Sequence, residues 1–436
     1  MIMNKARTRA IGAAIGIVVL AVLAGCSGGG SSAPSSSPKS LRGQTVTLMN
    51  WEAEEGSPYS DVLKQFTKDT GIKVDYQFAA SGDDYWPKTR AVLGSNNPPD
   101  LMRIDDDFVA YYASTGKLQD LQPYLKANGI KQSDYYPTVF NNTKEPDGKI
   151  VGWSLGIQPR VIYYNKTAFE KAGLPLPPTT WSDKGWTWAD FLKDAQALTT
   201  PDHSTYGADI IDDSGYEMIF PVNNGGTGRW SKNGKDFTLA DKADAAGVQY
   251  VADLTCKYDV QPPWSDLQQS GRGQEMFAAG QVGMIERVST LGAFFQQNVK
   301  GFDWDIAPMP GEKRQKTYGN QIVFSIPKAA KHRDAAWALL QYLTTEKGAS
   351  VFAKQASFVP GYKAAAKEIA TGGDGKENSK LILDAANHAV VPGRIVPIEQ
   401  ALDLYRPALD PVRNCKEPAA KVLSQIKPQV ESIINQ

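Results

Sequence analysis

The sequence predicts an α/β fold in two lobes, built on a mainly parallel sheet whose strands are joined by helices. Between residues 45 and 104, segments with the pattern of a strand alternate with segments that have helical spacing. About 395 residues follow residue 40, which is more than one hydrophobic core usually supports. Since no second linker is evident, we expect the chain to cross between the lobes more than once.

The first part of the chain contains three predicted strands separated by two predicted helices. The strands are residues 45–51, 72–76 and 99–104, and the helices are residues 58–69 and 84–93. Crossover helices of this kind place the strands parallel to one another. Ligands of open parallel sheets bind beyond the carboxyl ends of the strands, so we expect the functional residues to follow these strands directly.

Residues 151–174 form the stretch around which the rest of the chain is organised. The run from Val161 to Tyr164 is typical of a buried strand, and Asn165 marks the entry into a helix that stops at Gly173. The segment from Ile162 to Lys171 resembles a pattern of the solute-binding proteins of ABC importers, in the sugar branch similar to maltose-binding protein. That pattern is hydrophobic-hydrophobic-Tyr-Asn-x-x-x-hydrophobic-x-Lys, followed by Ala-Gly-Leu.

The resemblance extends over nearly the whole chain after the tether. Its strongest segments are residues 162–174, 281–287, 318–343 and 358–360. It implies a two-lobed periplasmic-binding-protein-like fold in which the chain crosses between the lobes several times. By this resemblance the first lobe holds residues 41–152 and 300–356, and the second lobe holds residues 153–299 and 357–436.

The start of the chain is typical of a bacterial lipoprotein. Basic residues precede an apolar run of 14 residues from Ile11 to Ala24, which is short for a membrane span and suits a signal peptide, residues 1–25. Leu23 to Cys26 resembles a lipobox, which implies lipidation at Cys26. Residues 26–40 are rich in Ser, Gly and Pro and form a tether. The alternative is a membrane anchor helix with an incidental cysteine.

The net charge limits the classes of possible binding partner, and the cysteine content bears on a possible disulfide. Removal of the signal peptide leaves 44 basic residues against 47 acidic ones, so the composition does not suggest nucleic acid or an anionic membrane as a partner. We therefore expect membrane contact through the lipid anchor alone. Cys256 and Cys415 remain after lipidation, and in an exported protein they form either one disulfide or two buried thiols.

Aromatic residues are the unusual feature of the composition, with 10 tryptophans and 18 tyrosines. A sugar ring has an apolar C–H face and an edge of hydroxyl groups, so its site needs a flat apolar surface beside hydrogen-bonding side chains. Four tryptophans lie at predicted strand ends or in Gly- and Pro-rich loops and are candidate stacking surfaces: Trp51, Trp153, Trp230 and Trp264. The alternative for each is a place in the core. Trp188 and Trp337 have helical packing positions and are assigned to the core.

Charged and amide side chains near the predicted strand ends are the candidate partners of ligand hydroxyl groups. They are Glu52, Asp83, Asp106, Arg160, Asn224, Glu286 and Arg287. Capping of the following helix is the alternative role of Asp83. The resemblance adds three cleft-facing residues: Tyr318, Asn320 and Phe358.

The sequence contains no phosphate-binding loop and no His-Glu-x-x-His pattern. Residues 152–156 match Gly-x-Ser-x-Gly, but a nucleophile elbow requires a helix directly after the serine, whereas Gly156, Pro159 and a predicted strand follow Ser154. The three histidines are isolated in sequence. We therefore predict no catalytic residue, no metal and no cofactor.

Together these features predict a monomeric, lipid-anchored receptor on the extracytoplasmic face of a bacterial membrane. It captures a carbohydrate, in our interpretation an oligosaccharide, between its lobes by hinge closure and delivers it to an ABC importer permease. Two alternatives stay open. One is a binding protein for a peptide or another polar solute, because fold does not decide the ligand. The other is an anchored glycoside hydrolase, which needs only aromatic surfaces and two carboxylates.

Overall fold

A computed structural model describes residues 38–436, except positions 53, 56, 79–81, 212–218, 270, 356–357, 370–378 and 392. The predicted signal peptide, Cys26 and nearly all of the tether therefore lie outside the described residues. The described residues belong to one compact unit. Within this part of the chain, no helix is both long enough and apolar enough to cross a membrane.

The strands of the described residues form one hydrogen-bonded network of ten members. They are β1 (Thr45–Asn50), β2 (Lys73–Phe78), β3 (Leu101–Asp105), β4 (Trp153–Asn165), β5 (Tyr206–Asp209), β6 (Val282–Val288), β7 (Trp304–Ala307), β8 (Thr317–Ser325), β9 (Val359–Pro360) and β10 (Ala389–Val390). Their spatial order is β2-β1-β3-β8-β4-β6-β5, with β10 on β8 and with β7 and β9 on β4.

The helices connect and cover these strands. They are α1 (Pro58–Thr70), α2 (Gly82–Gly94), α3 (Val109–Ser114), α4 (Gln122–Ala127), α5 (Thr138–Asn141), α6 (Lys166–Lys171), α7 (Trp188–Leu198), α8 (Ile219–Asn223), α9 (Lys242–Cys256), α10 (Trp264–Leu267), α11 (Arg272–Ala278), α12 (Gly292–Asn298), α13 (Arg333–Thr344), α14 (Glu346–Lys354), α15 (Lys363–Ala366), α16 (Ser379–His388), α17 (Ile398–Ala408), α18 (Asp410–Arg413) and α19 (Ala419–Ile434).

The first three strands confirm the predicted parallel arrangement. β1 lies between β2 and β3 and is parallel to both, with α1 and α2 as the crossover helices. Asn50 is the register partner of Phe78, and Leu48 is the partner of Leu101. The carboxyl ends of these three strands therefore lie along one edge of the sheet. β8 is antiparallel to β3 and continues the sheet on the other side.

Strand β4 joins the two parts of the sheet. Its first half pairs with β8, and its second half, from Arg160 onward, pairs with β6 and β7. The sequence predicted a strand only from Val161 to Tyr164, because Gly156 and Pro159 usually interrupt strands. Here Gly156 is required by packing, since a Cβ atom at this position would lie 2.1 Å from the Val359 carbonyl oxygen.

The buried side chains form three hydrophobic clusters. The first lies against the β1–β3 part of the sheet and contains Trp153 and Trp337, and the second surrounds β4, β5 and β6. The third cluster joins Met49 and Tyr85 to side chains of α9 and of the C-terminal helices. Trp337 and Trp188 are 3% and 7% exposed, which confirms their assignment to the core. The predicted lobe boundaries remain a prediction.

Local capping signals were predicted correctly. The Thr187 hydroxyl accepts a hydrogen bond from the Asp190 backbone N–H, and the Asp190 carboxylate accepts one from the Thr187 N–H. This reciprocal pair starts α7 as the predicted capping box. The Asn165 side chain accepts a hydrogen bond from the Ala168 N–H at 2.8 Å and starts α6. The strand therefore becomes a helix at the predicted residue.

Cys256 and Cys415 form a disulfide, with their Cα atoms 5.4 Å apart. The sequence left this bond open. Cys256 ends α9, and Cys415 lies between α18 and α19, so the disulfide joins α9 to the C-terminal helices. The two cysteines are 159 positions apart in the chain.

Candidate functional site

The residues after β1 lie at the carboxyl edge of the parallel strands. Asn50 ends β1, and its side-chain oxygen accepts a hydrogen bond from the Trp51 backbone N–H at 2.9 Å. Its side-chain amide donates to the Tyr76 hydroxyl at 2.8 Å, and that hydroxyl donates to the Glu52 carbonyl oxygen at 2.7 Å. Tyr76 lies on β2, so the turn that carries Trp51 and Glu52 is held by the neighbouring strand.

Trp51 and Glu52 are both in contact with Arg103 of β3. The Arg103 guanidinium lies 3.7 Å from the centre of the Trp51 ring and forms an ion pair with Glu52. Its side chain is 2% exposed, whereas that of Glu52 is 30% exposed. Tyr85 packs edge-on against Trp51 with ring centres 5.1 Å apart. Glu52 thus presents a carboxylate to solvent beside a half-buried aromatic ring.

The hydroxyl of Tyr76 stays protonated at neutral pH. Burial, followed by the negative charge of Glu52, raises the pKa of Tyr76 well above its ordinary value. A protonated phenol can donate the hydrogen bond to the Glu52 carbonyl that the structure shows. Tyr76 is therefore a positioning residue for Glu52.

A buried ion pair between Arg229 and Asp107 lies where β3 meets β8. The Arg229 guanidinium donates to the Asp107 carboxylate at 2.8 Å and to the Tyr318 hydroxyl at 3.2 Å. It also donates to the hydroxyl of Tyr405 on α17 at 3.4 Å. Asp107 belongs to the predicted first lobe and Arg229 to the predicted second lobe. The ion pair therefore connects the two predicted lobes next to the strand ends.

Asn320 also lies at this edge. Asp105, the last residue of β3, is the register partner of Ile322 on the antiparallel strand β8, so Asn320 lies beyond the end of β3. Its side-chain oxygen is buried and has no hydrogen-bond partner among the described residues. An acceptor in this state favours a ligand that brings a donor, such as a hydroxyl group. We use the name strand-end site for Trp51, Glu52, Arg103, Asp107, Tyr318 and Asn320.

The second part of the sheet carries two buried ion pairs. Arg160 of β4 pairs with Glu286 of β6, with one N–H···O distance of 2.8 Å. Arg287 donates to the carboxylate of Asp209, at the end of β5, at 2.7 Å. All four side chains are at most 6% exposed. We refer to them as the second-lobe ion pairs, and their contacts with each other make them positioning groups rather than ligand contacts.

Several predicted stacking surfaces are buried against other side chains. Trp153 is fully buried and its ring stacks on Trp337, so it has no exposed face for a ligand. Trp230 is 2% exposed and packs against Phe237 and Tyr405. We remove both from the proposed ligand contacts, because an indole packed in the core cannot also stack on a sugar.

Two other predicted contacts are also covered. The ring of Trp264 is 8% exposed, has the Arg413 guanidinium 4.8 Å from its centre, and donates through Nε1 to Asp410 at 3.2 Å. Phe358 is 3% exposed, and its ring centre lies 5.0 Å from that of Phe352. Both side chains are packed in this structure, so we remove them from the proposed ligand contacts as well.

Of the remaining predicted residues, the structure describes the side chain of Asn224 but not the side chains of Asp83 and Asp106. The Asn224 side chain donates to the Ala243 carbonyl oxygen at 2.8 Å and so fixes the start of α9. The side chains of Asp83 and Asp106 lie outside the described part of the chain. Both positions stay predictions, although the backbone places them at the start of α2 and directly after β3.

Reasoning from sequence missed Arg103, Asp107 and Tyr76. Arg103 is a charged residue inside the apolar strand β3, two positions before its end, and that position was the available signal. A charged side chain in a buried strand needs a partner of opposite charge. For Arg103 this partner is Glu52, which follows the end of the neighbouring strand β1. Tyr76 gave no such signal, because its hydrogen bonds depend on the register between β1 and β2.

Ser154 lies inside β4, is 1% exposed, and donates to the Gly156 carbonyl oxygen at 2.8 Å. The strand predicted to follow Ser154 is confirmed, and a nucleophile elbow requires a helix there. Among the described residues, no group of three or more His, Cys, Asp or Glu side chains is arranged to hold a metal ion.

A cavity of about 350 Å³ lies at the opposite end of β3 and is lined by Thr47, Asp100 and His332, among others. Asp100 accepts hydrogen bonds from the backbone and side chain of Thr47 and from the backbone and ring of His332. Burial raises the pKa of Asp100, but these hydrogen bonds outweigh it and lower the pKa below its ordinary value. The carboxylate is therefore engaged in holding β1, β3 and α13 together.

The sequence matches the family model of the bacterial extracellular solute-binding proteins over residues 50–350. A putative binding protein of Brucella abortus is 23% identical over 396 residues, which cover 89% of this chain and 92% of the relative. A maltooligosaccharide ABC transporter solute-binding lipoprotein of Streptococcus pneumoniae is 24% identical over 358 residues, which cover 80% of this chain and 78% of the relative.

Solved structures support the same assignment. An ABC substrate-binding protein of Listeria monocytogenes in complex with cycloalternan matches with a TM-score of 0.81 at 20% identity, over 90% of this chain and 99% of that chain. This similarity confirms the predicted two-lobed, periplasmic-binding-protein-like α/β fold. Since the family model covers more than half of the chain, the protein belongs to the family of bacterial extracellular solute-binding proteins.

Proposed function

We propose that this protein captures a carbohydrate between its two lobes and delivers it to the permease of an ABC importer. The observation that carries the proposal is the pairing of the half-buried Trp51 ring with the 30% exposed carboxylate of Glu52 at the strand ends. A sugar needs both an apolar surface and hydrogen-bond acceptors, and this edge supplies them together. The sugars named for the Streptococcus and Listeria proteins support the same class of ligand.

The proposed ligand contacts are Trp51, Glu52 and Asn320, and Asp83 and Asp106 stay candidates. Tyr318 is 4% exposed and its hydroxyl accepts from Arg229, so we assign it to positioning. The buried Asn320 oxygen is available to accept a hydroxyl hydrogen. Arg160, Asn224, Glu286 and Arg287 have protein partners, so we assign them to positioning. Arg103 and Asp107 act in the same way, because each forms an ion pair at the site.

Hinge closure is the proposed mechanism. A ligand that touches both lobes only in the closed state shifts the population towards that state. The Arg229 to Asp107 ion pair joins the two predicted lobes beside the proposed ligand contacts. The permease would then recognise the closed shape.

The family is extracellular, and its named relatives are binding proteins. We propose that this chain is held on the extracytoplasmic face of the membrane by a lipid on Cys26, acts as a monomer and has no catalytic activity of its own. Labelling with a radioactive fatty acid tests the anchor: incorporation that is lost in Cys26→Ser supports it, and equal labelling of both chains contradicts it.

Tryptophan emission of the full chain in a detergent without a sugar headgroup tests the function. The chain is titrated with glucose, maltose, maltotriose, cellobiose and cellotriose, and each mixture is then analysed for cleavage products. A saturable change with intact sugar supports the proposal. Cleavage that disappears in Glu52→Gln identifies a hydrolase instead. A chain that responds to none of these sugars contradicts the proposal and directs the search to peptides and other polar solutes.

A further inference from the structure

Asp244, near the start of α9, has a buried carboxylate that does not belong to the strand-end site. The residue is 2% exposed, and its two carboxylate oxygens accept hydrogen bonds from the backbone N–H groups of Gly228 at 2.7 Å and Thr227 at 3.3 Å. A Cβ atom at Gly226 would lie 2.1 Å from the Asp244 carboxylate, so the chain packs directly on this group. The loop of residues 226–228 therefore takes its position from Asp244.

The loop held by Asp244 leads directly into Arg229. Gly228 adopts a φ of +86°, which favours glycine, so the backbone turns sharply just before the arginine. The Arg229 side chain is 1% exposed and donates hydrogen bonds to Asp107 and Tyr318. A side chain that reaches distant segments depends on where its own backbone lies, so Asp244 acts on these contacts through Arg229.

Arg229 joins the ends of two strands at the strand-end site. Asp107 follows the end of β3, and Tyr318 lies on β8, which is antiparallel to β3. Tyr318 and Asn320 share one face of β8 because side chains alternate along a strand. A shift of Arg229 would therefore change the spacing between the end of β3 and the proposed ligand contact on β8.

The charge of Asp244 changes at mildly acidic pH. Burial raises its pKa to about 6, the backbone hydrogen bonds lower it, and the charges of Asp241 and Arg314 raise and lower it further. Lys427 of α19 faces the same end of α9 and forms an ion pair with Asp241 at 3.1 Å. Helix α8 and residues 238–240, which also contact the start of α9, contain no titratable side chain.

We infer that Asp244 is a positioning residue for ligand binding, because its ionised carboxylate holds Arg229 against Asp107 and Tyr318. The inference rests on the proposed carbohydrate function. A protonated carboxyl group is a weaker acceptor, and the longer of its two hydrogen bonds, from Thr227, is the first to be lost. Sugar binding then has to order the loop and Arg229 as well, which lowers the affinity in acid.

Stability and binding should depend on pH in opposite directions. Because the pKa of Asp244 is higher in the folded state than in the unfolded state, this group stabilises the fold most in acid, and the contribution is lost as the pH rises towards 6. Binding that requires the ionised form has the reverse dependence. A residue with only a structural role would make binding and stability fall together, so opposite signs identify a positioning role.

Isothermal titration of the full chain at several pH values tests this inference. Glucose, maltose, maltotriose, cellobiose and cellotriose are compared at about pH 7.5, and the tightest ligand is then titrated between about pH 5 and about pH 8. The wild-type affinity should be constant above about pH 7 and about fivefold lower at about pH 5. Asp244→Asn should bind about fivefold more weakly at neutral pH and lose this dependence, because its amide offers one acceptor oxygen to two N–H groups.

Asp253→Asn is the matched control, since it removes a carboxylate from the same helix that accepts a hydrogen bond from Gln249 rather than from the loop. It should keep the affinity and the pH dependence of the wild type. Arg229→Gln should weaken binding and lose the pH dependence. Adding Asp244→Asn to Arg229→Gln should weaken binding no further, because the two residues act in series.

The contradicting results differ in what they leave standing. A wild-type affinity that is equal in acid and at neutral pH overturns the role of Asp244 and leaves the proposed function intact. A pH dependence that persists in Asp244→Asn assigns it to another titrating group and also overturns the inference. Additive losses with Arg229→Gln show that Asp244 does not act through Arg229. A wild-type chain that binds none of these sugars overturns the proposed function together with this inference.

Discussion

The charged residues at the two sets of strand ends differ in how they are neutralised. In the second-lobe ion pairs, Arg160 and Glu286 face each other and are at most 6% exposed. At the strand-end site, Arg103 is equally buried, but its partner Glu52 is 30% exposed. A buried pair that is complete in itself fixes geometry, whereas a half-exposed carboxylate can still accept hydrogen bonds from a ligand. Function should therefore depend on Glu52 and stability on Glu286.

The largest expected effect is the loss of one charge from a second-lobe ion pair. Glu286→Gln leaves the Arg160 guanidinium buried without a counter-charge, which should lower the free energy of unfolding by about 3–5 kcal/mol. Urea unfolding measures the loss. Arg160→Met combined with Glu286→Leu should recover most of it. Asp147→Asn, in an exposed pair with Lys149, is the control and should have no measurable effect.

Removal of the disulfide tests whether the second half of the chain is also held by a covalent link. Replacing Cys256 and Cys415 with Ser releases a closed loop between positions 159 apart in sequence. We expect the free energy of unfolding to fall by about 2–4 kcal/mol. Thermal unfolding with and without a reducing agent measures it, and a wild-type chain that is insensitive to reduction would contradict the expectation.

Glu52→Gln should show the opposite profile to Glu286→Gln. The amide keeps the shape but removes a charge-assisted hydrogen bond to a ligand hydroxyl, so sugar affinity should fall about tenfold. The free energy of unfolding should also fall, because the 2% exposed Arg103 loses its counter-charge, but by less than for Glu286→Gln, since the Glu52 side chain is 30% exposed and the amide can still accept a hydrogen bond. Glu55→Gln is the control in the same turn. A large stability loss with unchanged affinity would invalidate the comparison between the two regions.

The smallest expected effect is on the pH dependence of the free energy of unfolding. It depends on the buried carboxylate of Asp244, which backbone N–H groups hold in place. The Asp244 carboxylate accepts hydrogen bonds from the N–H groups of Gly228 and Thr227, next to Arg229. Burial raises the pKa of Asp244 to about 6, although these hydrogen bonds lower it.

Because the folded state then binds the proton more tightly than the unfolded state, this group stabilises the protein most below about pH 4. The contribution is lost as the pH rises towards 6. Urea midpoints measured from pH 4 to 7 should therefore decrease more steeply for the wild type than for Asp244→Asn. Identical slopes would show that Asp244 titrates normally.

Structural features that depend on residues close in sequence were predicted most reliably. The order of strands and helices before residue 105, the capping box at Thr187 and Asp190, and the helix start at Asn165 depend on neighbours within about four positions. The family resemblance rested on such local patterns as well. Hydrophobic periodicity and capping chemistry act over these short distances, so the sequence was sufficient for them.

Which residues are proposed as ligand contacts depended on tertiary structure. Trp51 lies at the end of a predicted strand and Trp153 in a predicted Gly-rich loop, yet Trp51 is half-buried at the edge while Trp153 stacks on Trp337, 184 positions away in the chain. Arg103 of β3 pairs with Glu52 at the end of the neighbouring strand β1, and Arg229 pairs with Asp107 across the predicted lobes. Burial and charge pairing depend on which distant segments of the chain are in contact in the folded state. The composition of a local segment carries no information about these contacts.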